Sequence, residues 1–317
     1  MLCLYYDGVV RLKEVPPPSL QAGEALVQVH LAGVCRTDLE VIKGYHRFVG
    51  ILGHEFVGSV VGPETSPWLG RRVVGEITVS CGECPRCLEG LKGHCSTRQV
   101  LGLLDRPGVF AQYVAVPEVN LHALPPGLPD EVAVFVEPLA AAVAVPEAAP
   151  SLGGGPVLVI GDGNLGLLIS WVLALTGAEV HLVGHYPEHL DLARPYGVHT
   201  FLEGDLPPGE YNLIVEASGA TSGLDLALAR IRPQGTIILK STYAGHYGLD
   251  PARLVVPEVR LVGSRCGPFP AALRLLRQGW LAPRPLIART FPLSQGAAAL
   301  DYARQPGVLK VLLDCRA

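Results

Sequence analysis

At 317 residues the chain is long enough for two cores, and a formal net charge of −4 gives it no excess of basic charge with which to hold nucleic acid or an anionic membrane. Hydrophobic residues make up 49% and charged residues 17%, yet no apolar run reaches the ~20 residues of a membrane span, so a soluble protein with a small-molecule partner is expected. Only five of the 25 basic residues are Lys, and the Arg residues form no stripe, which argues against nucleic acid as a partner.

Residues 1–10 read as a strand, since they lack the basic start and small-residue cleavage site of a secretory signal; a cytoplasmic location is the expectation. Runs of β type at 24–30, 56–61 and 110–116, broken by Gly and Pro, predict a mostly β domain. Around Gly153, Gly154, Gly155 and Pro156 the pattern changes. Short apolar strands at 157–160, 179–183, 213–216, 236–240 and 260–263 then alternate with Ala/Leu-rich helical stretches, as in βαβ units around a parallel sheet. Past Cys266 a helical stretch at 271–278 leads to a last strand at 309–313. That tail is too short for a domain of its own and is expected to return to the first one.

Three constellations carry chemistry. Four of the eight cysteines, Cys81, Cys84, Cys87 and Cys95, are separated by two, two and seven residues. In a chain without secretory features such a cluster favours metal over disulfide. Four thiolates close tetrahedrally around one zinc ion and leave no open position, so this site is predicted to be structural. An iron–sulfur cluster or four unrelated core thiols are the alternatives, and ferredoxin spacing differs from this one. The surrounding lobe, 76–100, has little apolar content, so the metal is expected to hold it folded. A second set comprises Cys35, Thr37 and Asp38, then Gly53-His54-Glu55, then Glu137-Pro138-Leu139. A thiolate, an imidazole and one or two carboxylates leave room for an exchangeable ligand, as catalytic zinc requires. Taken singly, Cys35 would be core filler and each Glu a paired surface acid. The third is the apolar strand 157–160 running into Gly161-Asp162-Gly163-Asn164-Leu165-Gly166 and an apolar helical stretch at 167–175. Glycines there permit a tight turn and close approach of a pyrophosphate to the helix N-terminus.

In this order the three motifs resemble the zinc-containing medium-chain dehydrogenase/reductase family, which includes alcohol, sorbitol, threonine and glucose dehydrogenases, and the likeness spans nearly the whole chain. The resemblance implies an α/β architecture: a GroES-like β-rich catalytic domain at 1–136, a Rossmann doubly wound parallel-sheet domain at 137–266, and a segment, 267–317, that returns to the catalytic domain. It implies that Cys35 and His54 bind catalytic zinc, with Glu55 a ligand in some members or states. The remaining family ligand is a cysteine in many alcohol dehydrogenases and a glutamate before Pro-Leu in the polyol and glucose enzymes, and Glu137 sides with the latter. Thr37 matches the hydroxyl that relays the substrate proton, while Glu40 stands where many alcohol dehydrogenases have a histidine. Two zinc ions per chain and a homodimer or homotetramer are further implications.

The expected activity is hydride transfer between a nicotinamide cofactor and an alcohol, polyol or sugar, or the matching carbonyl. Thr37 would take the substrate proton, and the glycine turn would hold the dinucleotide. Two other readings are carried: a zinc-stabilised NADP(H)-binding scaffold or sensor without turnover, and a zinc-independent quinone or enone reductase of the same superfamily. The cofactor expectation rests on Gly184. NAD-preferring folds place an Asp or Glu about 20 residues past the glycine turn to bind the adenosine ribose. With Gly184 there, and His185, His189 or a nearby Arg able to contact a 2′-phosphate, NADP(H) is expected over NAD(H), and Gly184→Asp is expected to shift the preference toward NAD(H).

Overall fold

The structure, a computed structural model, describes residues 1–149 and 154–317. Gly153, the first glycine of the turn at which the sequence pattern changes, lies outside the described residues. The chain divides into two compact units, one of Met1–Glu137 with Ala272–Ala317 and the other of Pro138–Ala271.

The first unit is built on the strand Glu24–Val34. Ala25, Val27, Val29 and Leu31 are buried while Gln28 and His30 are only partly so, the period-two burial of a strand with one face on the core. This strand pairs antiparallel with Glu55–Gly62 on one side and with Lys310–Asp314 on the other, where Val311 stands opposite Val34 and Asp314 opposite Leu31. Arg72–Gly75, Leu121–Ala123 and Ile287–Pro292 extend the sheet, and Tyr113–Pro117 pairs with the residues from Glu24 to Gln28. The opening residues, expected as one strand, form two that pair as a hairpin, Leu2–Tyr6 and Val10–Glu14. The reversal falls at Asp7-Gly8-Val9, where Gly8 takes a φ of +99°.

The second unit is a six-stranded parallel sheet. Its order is His199–Leu202, Val180–Gly184, Val157–Ile160, Tyr211–Glu216, Ile231–Leu239 and Arg260–Gly263. Numbered along the chain this is 3-2-1-4-5-6, the doubly wound order of a dinucleotide-binding fold. Val157–Ile160 is buried at every residue, as a central parallel strand covered on both faces must be. The helix Asn164–Leu175 buries Leu167, Leu168, Ile169, Trp171, Val172 and Leu173, which explains why it reads as apolar on every side. Ile231–Leu239 starts five residues earlier than its sequence pattern suggests, because a register shift against Tyr211–Glu216 absorbs Pro233 and Gly235. No helix of the described residues is long and apolar enough to cross a membrane.

Candidate functional site

Cys35 follows the strand Glu24–Val34 and is the N-cap of the helix Arg36–Ile42. Its backbone N–H donates to Asp38 Oδ2 at 2.9 Å, and the N–H of Asp38 donates back to the Cys35 carbonyl at 3.1 Å. This reciprocal pair satisfies two groups at the helix start and fixes the direction of the thiol. The Cys35 Sγ lies 3.7 Å from Thr37 Oγ1. Thr37 is therefore inside the first turn, with its hydroxyl at the sulfur, and is not the cap of this helix.

His54 and Glu55 enter the next strand through Gly53, whose φ of +91° suits glycine and where an added Cβ would stand 2.3 Å from the Phe110 ring. One donor atom each from Cys35, His54 and Glu55 gathers within 4.8 Å. His54 is 3% exposed and Glu55 fully buried. Glu55 Oε2 accepts from Lys310 Nζ at 2.5 Å, and the same ammonium donates to the Val34 carbonyl at 3.2 Å. Glu55 Oε1, His54 Nδ1 and Asp38 Oδ1 are buried without a hydrogen-bond partner. Asp38 Oδ1 lies 3.1 Å from His54 Nδ1, an ion-pair distance without hydrogen-bond alignment.

Asp38 Oδ1 and His54 Nδ1 face each other, which leaves Glu55 Oε1 as the orphan; buried polar atoms are nearly always satisfied, so this one, beside a thiol and an imidazole, fits a bound cation. The electrostatics agree. Burial opposes charge on His54, but the Asp38 carboxylate and then Cys35 override it and raise the imidazole well above its usual range. Lys310 follows the same logic: its burial opposes charge, and Glu55, Cys35 and Glu137 together raise it. Glu137, in the first turn of the helix Val136–Ala148, is not one of the three residues of this group. Glu40 is buried with its carboxylate 2.8 Å from Lys43 Nζ and 3.4 Å from Arg36 Nε.

The second group is Cys81, Cys84, Cys87 and Cys95, all free thiols. Sulfur separations are 3.5 Å for Cys84–Cys87 and Cys81–Cys95, 3.9 Å for Cys84–Cys95 and 4.0 Å for Cys81–Cys87. A tetrahedron with ~2.3 Å zinc–sulfur bonds has edges of about 3.8 Å, so the donor set fits four-coordinate zinc. A disulfide would need about 2.0 Å. The Ser96 and Cys87 backbone groups hold the Cys84 thiol down at about 6, while burial and the neighbouring sulfurs push Cys87 up to about 11, so without a cation the four sulfurs do not share one charge state. Cys84 caps and Cys87 lies within the helix Pro85–Leu88, Cys95 follows the turn at Lys92–His94, and both Leu88 and Leu91 are exposed.

In the second unit, Gly161, Gly163 and Gly166 form the turn from Val157–Ile160 into the helix, with Gly163 as its N-cap and Asn164 and Leu165 as its first residues. A cleft at the carboxyl ends of the strands is lined by Gly161, Asp162, Gly184, His185, Glu203 and Ser222, among others. The open place expected at Gly184 is filled: a Cβ added there would lie 2.3 Å from Asp162 Cγ. Asp162 Oδ2 accepts from the backbone N–H groups of His185 at 2.9 Å and Tyr186 at 2.7 Å. His185 is 68% exposed at its side chain and pairs with Glu203 at 3.3 Å, while His189 is buried and donates from Nδ1 to the Asp162 carbonyl at 3.0 Å. Neither histidine is therefore a free anchor for a 2′-phosphate.

Sequence reasoning gave no role to Asp38, Asp162 or Lys310. Asp38 and Asp162 lie inside motifs whose other positions drew the attention. A lysine in the last, otherwise apolar strand of a chain with only five is a signal that could have been used.

The alcohol dehydrogenase GroES-like domain family matches residues 21–126. Galactitol 1-phosphate 5-dehydrogenase of Escherichia coli K12 is 30% identical over 339 residues, covering 97% of each chain. The rspB alcohol dehydrogenase of E. coli CFT073, solved with NADH, superposes with a TM-score of 0.88 at 27% identity over 99% of both chains. A zinc-binding dehydrogenase of Sinorhizobium meliloti 1021 bound to NADP gives 0.87 at 25% identity, over 99% of this chain and 98% of that one. With 30% identity to a polyol-phosphate dehydrogenase over 97% of each chain, the chain belongs to the zinc-type medium-chain dehydrogenase/reductase family and is an alcohol-dehydrogenase-like oxidoreductase.

Proposed function

We propose that the chain transfers hydride between a nicotinamide dinucleotide and a polyol, sugar or related alcohol, with zinc at the Cys35, His54 and Glu55 group. The observation that carries this is the convergence of those three donors on one point, with Glu55 Oε1 left buried without a hydrogen-bond partner and His54 Nδ1 turned to Asp38. Zinc bound there supplies Lewis acidity toward a substrate oxygen. The rest is done by the chain. Asp38 fixes Cys35 through the helix start, Lys310 holds one oxygen of Glu55 and leaves the other for the metal, and Thr37 takes the substrate proton beside Cys35. Cys81, Cys84, Cys87 and Cys95 would hold a second, structural zinc. The glycine turn and the N-terminus of Asn164–Leu175 would receive the pyrophosphate. Glu137 stands as a ligand for other states of the catalytic metal, supported only by its match to the polyol enzymes. A cytoplasmic homodimer or homotetramer fits the family.

Metal analysis combined with a dehydrogenase screen of polyols, sugars and short alcohols, with both NAD and NADP, tests this reading. Two zinc ions per chain and a turnover abolished by Cys35→Ala are expected. Full zinc with no hydride transfer to any of the panel would favour a dinucleotide-binding scaffold, and enone reduction insensitive to chelators would favour a zinc-independent reductase.

A further inference from the structure

The doubly wound order places a dinucleotide across the ends of Val157–Ile160 and Val180–Gly184, where an acidic side chain at the end of the second strand usually meets the adenosine ribose. Here that end is Gly184. The register sets Ile160 beside Val183, and the Gly161 N–H donates to the Val183 carbonyl at 2.9 Å, so the residue after Gly161 is delivered to the strand end from the glycine turn. That residue is Asp162. Its carboxylate occupies the volume a side chain on Gly184 would need, is 5% exposed, and is held by two backbone N–H groups that both point at Oδ2. Oδ1 takes no part in that pairing. Gly184 is thus the partner of Asp162: any larger residue at 184 would expel the carboxylate.

Asp162 lines the cleft together with Glu203, and the residues lining it include no Lys or Arg. Their one basic side chain, His185, is already paired with Glu203. A ribose 2′-hydroxyl in this cleft has a carboxylate to donate to. A 2′-phosphate would bring a dianion against two carboxylates, with no Lys or Arg among the described residues that line the cleft.

From this geometry we infer that Asp162 is the specificity-determining residue for the cofactor, an acid carried on the glycine turn in place of one on the second strand, and that it makes the chain prefer NAD(H) to NADP(H). The inference rests on the dehydrogenase reading above. It also reverses the preference that Gly184 suggests in the sequence, because an empty strand end and one filled from a neighbouring turn look alike in a linear reading.

The test is direct binding, followed by the fluorescence of NADH and NADPH titrated into the zinc-loaded wild-type protein and into Asp162→Asn and Asp162→Ser. Asparagine keeps an oxygen for the two N–H groups and removes the charge; serine serves if the amide variant folds poorly, and melting temperature and zinc content report on folding in each. Wild type should bind NADH more tightly than NADPH by about tenfold or more, and the variants should narrow that ratio by about tenfold. A purely structural role would weaken both dinucleotides together and leave the ratio unmoved, which overturns the inference, as does a wild-type preference for NADPH. Failure of the wild type to bind either dinucleotide would overturn the dehydrogenase reading itself, and this inference with it.

Discussion

The hydroxyl of Thr37 stands beside the Cys35 sulfur within the first turn of its helix, where it can serve chemistry without serving the cap. Thr37→Ala should keep zinc and dinucleotide binding and leave the melting temperature near that of wild type, while turnover falls by ~10²-fold or more; Thr37→Ser should be mild. Steady-state kinetics across pH, run beside thermal melts, separate a proton relay from a helix cap, whose loss would cost ~1 kcal/mol of stability instead. A different outcome is expected at Gly184. Its missing side chain is where the Asp162 carboxylate sits, so Gly184→Asp should not convert the cofactor preference but should weaken binding of both NADH and NADPH and lower the melting temperature. A stable Gly184→Asp variant with normal NADH affinity would contradict the packing described here.

The cysteine lobe shows how a small element is held when it has little to bury. Its three strands, Thr78–Val79, Gln99–Leu101 and Asp105–Arg106, are short, and Leu88 and Leu91 face outward. Four sulfurs at 3.5–4.0 Å take the place of a core. Cys84→Ala should therefore release one zinc ion and expose the lobe to proteolysis. Cys35→Ala should release the other zinc and abolish activity while the lobe stays protected. Limited proteolysis with metal analysis of both variants reads this difference, and equal protease sensitivity would count against it. The catalytic element works in the opposite way. Cys35, His54 and Glu55 adjoin a sheet that is stable through its own burial, so a metal held by them would be free to serve chemistry.

On the scale of the whole molecule, distant parts of the chain are joined by charges as well as by strands. Asp130 accepts from His30 at 2.8 Å and is paired with Arg72, so three segments meet at one carboxylate. Burial would raise Asp130, but the hydrogen bonds from His30 and Arg72 override it and hold the carboxyl at about 2. The folded value lies below the ordinary ~3.9 of an unfolded Asp, so the stabilisation is present above pH ~4 and is lost as pH falls toward about 2. Asp130→Asn should cost about 2 kcal/mol at pH 7 and flatten the loss of stability between pH ~4 and ~2, as urea unfolding at a series of pH values would show. An unchanged acid limb in that variant would mean other carboxylates carry it.

The local chemistry was legible in the linear chain, because spacing along a backbone is itself a geometric statement. Cysteines two residues apart can share one metal, a run of apolar residues into Gly161-Asp162-Gly163 must turn tightly, and the change of pattern near Gly154 marks a change from antiparallel to parallel sheet. Groups that meet only through pairing of remote strands were not legible. Lys310 reaches Glu55 because Lys310–Asp314 lies against Glu24–Val34, which in turn lies against Glu55–Gly62, and nothing near either residue encodes that adjacency. Glu55 comes beside Cys35 and His54 for the same reason: the pairing of Glu55–Gly62 with Glu24–Val34 sets its carboxylate there. The sequence by itself determined which chemical groups the protein carries and the turns that present them. Tertiary structure alone decided which carboxylate faces which partner, since a side chain such as Asp162 can cross from one strand end to the next and fill a place that the linear chain leaves empty.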